Sequence, residues 1–297
     1  MPWLGEKRGH LVDWTTQRWV QATGRLVDLG DHSWLEGPVG SPSGIGRDFF
    51  DHLASTNGLR VRSDRPAGLM ESFASLEGPG FEPAEIHAEV RRFYESTSEF
   101  DLDVWSQWSG VFRPFGRMLA LVFSKRLQQL NVPLDPLSTA RGLSSRVLQL
   151  EDPSNGNLVH TGWVRENPST QETVYVGAYS LATVPGHPAP CVKVVFPLPN
   201  GNATVIMRPS VEADGSLRLE SSGSGFGDPG FYFLVQGSGS KVWARYLRTF
   251  REVIRVYVES GELRTDHTFT LWRRPFLRLH YRLQLRAAPA AHAIQPS

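Results

Sequence analysis

Four residues near the C-terminal end have types and spacing suited to proton transfer. Asp266-His267 and His280-Tyr281 stand on either side of Arg273-Arg274. If Arg273-Arg274 forms the tip of a two-residue hairpin, His267 faces His280 across the ribbon, and Asp266 faces Tyr281 on its other surface. We therefore predict these four as candidate catalytic residues, with the two histidines donating and accepting protons.

A guanidinium and several aromatic rings are predicted to bind the substrate. Arg278 lies two residues before His280, on the same strand face, and suits an anionic or carbonyl oxygen. The other candidate substrate-binding residues are Trp163, Phe226, Tyr232 and Trp272. The glycine-rich stretch 223–230 is interpreted as a mobile loop beside this site. In the competing arrangement this polar face is in solvent, and Leu277, Leu279, Tyr281 and Leu283 form the core.

No metal or nucleotide cofactor is predicted. Two cross-strand histidines would need a further metal ligand; His160 is the nearest candidate, but no ligand spacing supports it. The string Gly225-Phe226-Gly227-Asp228-Pro229-Gly230 matches a dinucleotide-binding pattern. The apolar run that follows it reads as a strand, whereas a dinucleotide site requires a helix there.

The second half of the chain has the two-residue period of β-strands. The predicted strands are Arg146–Leu150, Leu158–Arg165, Thr173–Thr183, Val192–Phe196, Ala203–Arg208, Leu217–Ser221, Phe231–Gln236, Val242–Arg248, Glu252–Val258, Leu263–Leu271 and Phe276–Leu285. Turn residues separate several of them: Asn155-Gly156, Asn200-Gly201, Asp214-Gly215 and Ser260-Gly261. So many short strands in sequence predict an antiparallel β-barrel or strongly curved sheet.

The first half reads as helices joined by Gly/Pro loops. Helices are predicted at Trp14–Val20, Arg47–Thr56, from Phe81 onward, and at Pro114–Leu130. The last is rich in large apolar groups, with Trp105 and Trp108 before it, and packing against the sheet is favoured over docking on a membrane surface. The predicted class is α+β: a helical part (1–143) packed on a β-domain (144–286), with a flexible tail (287–297).

The composition limits where the protein is expected to be found and what it is expected to bind. A single cysteine, Cys191, no signal-peptide pattern and no long apolar run predict a soluble cytoplasmic protein without a transmembrane segment. A net charge of +1 makes nucleic acid an unlikely partner for the chain as a whole. Residues 241–286 nevertheless carry eleven basic against four acidic residues, in two arginine series. These are Arg245, Arg248, Arg251, Arg255 and Arg274, Arg278, Arg282, Arg286.

Three hypotheses of function follow. The first is a β-barrel that binds a small apolar or polycyclic molecule, as an enzyme of bacterial metabolism that cyclises or isomerises it by holding a reactive shape. Only four of the 31 basic residues are lysine, which indicates a GC-rich genome and therefore favours a bacterial source. The second is a non-catalytic carrier or sensor that uses the same pocket. The third is an interaction module that uses the basic C-terminal face.

Overall fold

The computed structural model describes residues 11–41, 45–62, 66–109, 144–167 and 173–286. Within these ranges there are three α-helices: α1 (Leu11–Thr23), α2 (Phe49–Asn57) and α3 (Ala88–Glu95). The first two match predicted helices. The helix expected from Phe81 begins as a 3-10 turn at Pro83–Glu85, before α3. The helix predicted over Pro114–Leu130 and the predicted tail lie outside the described residues.

The described residues contain fourteen strands, which form a single sheet. The first three are β1 (Arg25–Asp28), β2 (Arg60–Val61) and β3 (Phe100–Trp108). The others are β4 (Ser144–Glu151), β5 (Leu158–Glu166), β6 (Thr173–Val184), β7 (His187–Leu198), β8 (Gly201–Val211), β9 (Leu217–Glu220), β10 (Gly230–Gln236), β11 (Lys241–Tyr246), β12 (Phe250–Glu259), β13 (Glu262–Leu271) and β14 (Arg274–Leu285). These eleven are the strands predicted from alternation.

All pairings between the named strands are antiparallel. The main path runs β2-β4-β5-β6-β7-β8-β9-β12-β13-β14-β3, and a branch β10-β11-β1 leaves it at β8. The prediction of a mostly antiparallel sheet is therefore confirmed. The path is open among the described residues, with β2 and β3 at its ends, so the pairing does not confirm a barrel.

The sheet also takes in strands that the sequence reading missed. Strands β1, β2 and β3 all precede residue 144, and they pair with β11, β4 and β14. The stretch before residue 144 is thus not purely helical, and β3 includes the two tryptophans that had been grouped with the 114–130 helix. The division of the chain into domains at residue 143 stays a prediction.

The β13–β14 hairpin turns one residue earlier than predicted. Its tip is Trp272-Arg273, whose φ angles of 48° and 66° are those of a type I′ turn. A bulge lies between Phe269 and Thr270. As a result Asp266 pairs with His280, and His267 pairs with Leu279. The predicted pairing of His267 with His280 is wrong, because a one-residue shift moves side chains to the opposite face.

Different elements cover the two faces of the sheet. On one face α2 packs Phe50 and Ala54 against strands β4 to β6. A Cβ atom on Gly162 of β5 would lie 2.4 Å from the Phe50 ring, so this close approach requires glycine. The 3-10 turn Ser33–Leu35 packs on a second cluster around Tyr232, formed by residues of β6, β7, β8, β10 and β11. The opposite face, on which α3 packs, holds the largest apolar cluster.

The hairpin tip gives a first prediction. Arg273 occupies a left-handed backbone conformation that glycine adopts without strain. We expect Arg273→Gly to raise the free energy of unfolding by roughly 0.5–1 kcal/mol in urea denaturation, because it relieves that strain. The matched control is Arg274→Gly, which places glycine in the first position of β14 and should lower stability instead. Equal losses in both variants would contradict the turn assignment.

Candidate functional site

One face of the sheet lines a cavity of about 660 Å³. Most of its wall is apolar; examples are Trp163, Phe196, Met207, Phe231, Phe250 and Leu279, which come from β5, β7, β8, β10, β12 and β14. Helices α1 and α3 complete the wall through Trp19 and Phe93. The volume and the apolar lining are those of small-molecule binding sites.

Alternation in β14 decides which side chains face the cavity. Leu277, Leu279, Tyr281 and Leu283 all line it. Arg278 and His280 lie between them in sequence and are exposed on the opposite face. The leucine face is therefore the inward one, in agreement with the competing arrangement considered from the sequence.

Arg165 is the one basic side chain other than histidine in the described wall, and it is only 8% exposed. Its guanidinium carbon lies 3.6 Å from the ring centroid of Trp163, 5.0 Å from that of Tyr175 and 5.2 Å from that of Tyr281. Its positive charge opposes the rise in the pKa of Tyr281 that burial causes. Its Nε atom has no hydrogen-bond partner among the described residues.

The interactions of Arg165 offset only part of the cost of removing its charge from water. A desolvated cation–π contact contributes about 2 kcal/mol. Removing an ion from water costs several kcal/mol, and an ion-paired carboxylate normally offsets that cost. Among the described residues no carboxylate pairs with Arg165. The described residues therefore compensate this buried positive charge only in part.

Three tyrosines place hydroxyl groups beside Arg165. The hydroxyl oxygens of Tyr175 and Tyr179 are 2.6 Å apart, within hydrogen-bond distance. Burial raises the pKa of Tyr179 to about 12. Burial also raises the pKa of Tyr175 and of Tyr281 above the usual value of a phenol. All three therefore stay protonated near neutral pH and can donate hydrogen bonds.

A carboxylate and a histidine form a second polar group in the wall. Glu252 Oε2 lies 3.2 Å from His267 Nε2, and Glu252 is 6% exposed. The backbone N–H of Glu252 donates to Ser221 Oγ at 2.9 Å, which fixes the start of β12. The His267 ring packs on Phe269, with centroids 4.0 Å apart. This pair can hold or move a proton at the cavity surface.

The structure separates the four residues predicted to be catalytic. His267 and Tyr281 line the cavity. Asp266 and His280 lie on the opposite face, where Asp266 Oδ1 is 2.7 Å from His280 Nδ1. The predicted partnership of Asp266 with Tyr281 is wrong, because Tyr281 pairs with Thr265 and points inward. A catalytic role for His267 and Tyr281 stays a prediction.

The predicted substrate-binding residues are also divided. Trp163 lines the cavity, whereas Arg278 is exposed on the opposite face. Trp272 is 67% exposed at the hairpin tip. Phe226 and Tyr232 pack with Trp34 in the cluster on the other side of the sheet and do not line the cavity.

The glycine-rich stretch 223–230 is held by close packing, which corrects its interpretation as a loop beside the site. The Asp228 carboxylate accepts hydrogen bonds from the backbone N–H groups of Ser224 and Gly225. A Cβ on Gly223 would lie 2.2 Å from Asp228 Cβ, and one on Gly230 would lie 2.3 Å from the Tyr246 ring. Packing therefore accounts for Gly223 and Gly230, and a positive φ of 95° for Gly227.

Sequence reasoning missed Arg165 and Glu252. Arg165 stands two residues after Trp163 in β5, and Glu252 two residues before Ile254 in β12, so each shares the face of an apolar neighbour. A lone charge on the apolar side of an alternating strand was the available signal. Each lies at the end of a predicted strand, where a charged residue is unremarkable.

Comparisons with known proteins give one informative match. The chain is 25% identical over 242 residues to the protein named uncharacterized membrane protein YndJ of Bacillus subtilis (strain 168). The alignment covers 80% of this chain and 41% of the relative, so the chain spans less than half of that protein's length. No protein-family model matches the chain, and no solved structure matches it.

The match corrects one expectation. A cytoplasmic localisation was predicted from the sequence, but the relative is named a membrane protein, and that prediction is therefore contradicted. In the part of the chain that the structure describes, no helix combines the length and apolarity needed to span a bilayer.

Arg165 gives a second prediction. Replacing this incompletely compensated cation by an apolar side chain of similar length, Arg165→Met, should raise the free energy of unfolding of the ligand-free protein by about 1–2 kcal/mol. Chemical denaturation measures the change. The control is Arg146→Met on β4, where the arginine is half exposed and pairs with Asp51, and should change stability by less than about 0.5 kcal/mol. A marked loss in Arg165→Met would show that the charge is compensated after all.

Proposed function

We propose that this protein binds an apolar small molecule inside the cavity. The observation that carries the proposal is the cavity itself, about 660 Å³ in volume and walled mainly by aromatic and aliphatic side chains. Sites that bind small molecules are concave and lined mainly by apolar side chains, and this cavity has both properties. The few polar groups in the wall are of the kind that orients a ligand.

The arrangement of the strands supports an enclosed site. Strands β3 and β4 stand near opposite ends of the pairing path but contact each other. Arg286, just after β14, donates to the Ser145 carbonyl of β4 at 2.8 Å. We infer that the sheet curves around the cavity as an incompletely paired barrel.

Binding and catalysis are separate possibilities for this cavity. A carrier or sensor needs only the apolar wall. A cyclase or isomerase also needs a proton donor or acceptor, and His267 with Glu252, or Tyr281, could serve. Binding is our proposal, because the cavity supports it directly. Turnover of a bound substrate would add the enzymatic function to it.

The third prediction tests the cavity by filling it. Val194→Trp places an indole in the cavity, whereas the control Val159→Trp makes the same change at an exposed position on β5. We expect binding of the neutral dye N-phenyl-1-naphthylamine, measured by its fluorescence, to weaken at least about tenfold in the first variant only. Leu279→Trp serves as a second cavity variant if the first misfolds. Unchanged binding in a folded cavity variant would refute the proposed site.

A second candidate function rests on the hairpin tip. Trp272 lies in the turn between β13 and β14, and its side chain is exposed. Its backbone N–H donates a hydrogen bond to the Thr249 carbonyl at 2.9 Å, which holds the β11–β12 loop beside the turn. We define the tip patch as Trp272, Arg273, Arg274, Arg248 and Arg251. None of these four arginines pairs with a carboxylate among the described residues.

Three of the remaining arginines of the two series are paired: Arg255 with Glu212 and Asp214, Arg282 with Asp103, and Arg286 with Asp101. Arg245 and Arg278 have no carboxylate partner among the described residues. The tip patch thus combines four arginines that lack a carboxylate partner in that part of the chain with an exposed tryptophan. Tryptophan favours the membrane–water interface, and each basic residue near an anionic bilayer contributes about 1 kcal/mol. We propose that the tip patch docks on an anionic lipid surface.

The fourth prediction concerns this docking. The double variant Arg273→Gln, Arg274→Gln should bind vesicles of equal parts phosphatidylcholine and phosphatidylglycerol about 30-fold more weakly in a sedimentation assay. Added salt should also weaken binding of the unmodified protein. The control, Arg282→Gln with Arg286→Gln, removes the same charge from paired positions and should bind nearly normally. Equal loss in both variants, or binding to oligonucleotide and not to vesicles, would contradict membrane docking by the tip.

A further inference from the structure

We infer that the natural ligand of the cavity is an amphiphile with one negative charge, and that its acidic head group binds Arg165. This inference rests on the proposed function, because it names the ligand class of the same cavity. The expected ligand has a long apolar body and a carboxylate, as in a fatty acid. The argument depends on the partners that Arg165 has and on those that it lacks.

Arg165 is built into the cavity as an anion receptor. Its guanidinium lies over the Trp163 ring at 3.6 Å, with the rings of Tyr175 and Tyr281 at its sides. Such stacking fixes the plane of the guanidinium and leaves its edge for hydrogen bonding. A carboxylate fits that edge with two parallel hydrogen bonds. The rings thus contact the cation, and its unpartnered Nε lies on the edge that recognises an anion.

The unused polar atoms of the wall point to the same chemistry. Among the described residues that line the cavity, the buried side-chain atoms without a hydrogen-bond partner are Arg165 Nε and Trp108 Nε1. Both are donors, so the complementary ligand group is an acceptor. The hydroxyls of Tyr175 and Tyr179 share one hydrogen bond, so one of these two hydroxyls, together with that of Tyr281, provides a further donor beside the guanidinium.

The charges in the wall limit the ligand to one negative charge. Arg165 is the one arginine or lysine in the described wall, and the carboxylates there are Asp13 and Glu252. Glu252 is held by His267 at 3.2 Å and does not pair with Arg165. A second negative charge on the ligand would find no counter-charge. These carboxylates also disfavour the head group at any position other than Arg165. The rest of the wall is apolar and suits a hydrocarbon body.

The test uses ligands with the same tail and different head groups. Dodecanoate, dodecanol and dodecylamine are titrated as competitors of N-phenyl-1-naphthylamine, with the full chain and its variants. We expect dodecanoate to bind the unmodified protein at least about tenfold more tightly than dodecanol, and dodecylamine to bind most weakly. Arg165→Met should remove the preference for dodecanoate, so that within this variant dodecanoate binds no more tightly than dodecanol. Arg165→Lys should keep part of the preference, because it keeps the charge but loses the planar fork.

The outcomes distinguish this inference from the proposed function. If dodecanoate and dodecanol bind the unmodified protein equally, and Val194→Trp still abolishes dye binding, the anionic ligand is overturned. The cavity then remains a binding site. Dye binding that no cavity-filling variant affects would instead overturn the proposed function. A folded Arg165→Met protein that still prefers dodecanoate would place the head group elsewhere. Preference for dodecylamine would assign a cationic ligand, with Glu252 as its partner.

Discussion

Strand alternation in a fixed register is the constraint on which this structure depends. Each strand must present its apolar set to the same side, because the cavity wall is assembled from alternate residues of many strands. The β13–β14 hairpin shows that even a one-residue shift in register would change the cavity wall. With its turn at Trp272-Arg273, the Leu277–Leu283 side faces inward. A shift of one residue would bring Arg278 and His280 into the wall and expose the leucines.

The same constraint explains why two charges inside the wall are informative. An alternating strand can place a charged residue outside at no cost, so Arg165 and Glu252 at inward positions lower the stability of the ligand-free protein. Glu252 has a partner in His267, whereas Arg165 is held mainly by aromatic rings. A fold that depends on an apolar face and still keeps an arginine in it gives up stability, as functional sites commonly do.

Patterns within a few residues of sequence predicted much of this fold. Features that depend on contacts between distant strands were not predicted. Alternation and turn residues identified β4 to β14, since both are read within a few residues of sequence. Strands β1 and β2 span four and two residues, too few to show a period. The hairpin register failed because Trp272-Arg273 carries no glycine or asparagine to mark a type I′ turn. Which face is inward, and hence that Arg165 lines a cavity, depends on contacts between distant strands.

The tip patch and the cavity are connected through the same strands. Phe250, Phe269 and Phe276 line the cavity and pack on one another at the ends of β12, β13 and β14, within a few residues of Trp272. If the tip docks on a bilayer, this aromatic end of the cavity lies nearest to the lipid. An amphiphile concentrates in that interface with its apolar body in the hydrocarbon. Docking and ligand binding would then be two parts of one activity, in which the membrane supplies or receives what Arg165 holds.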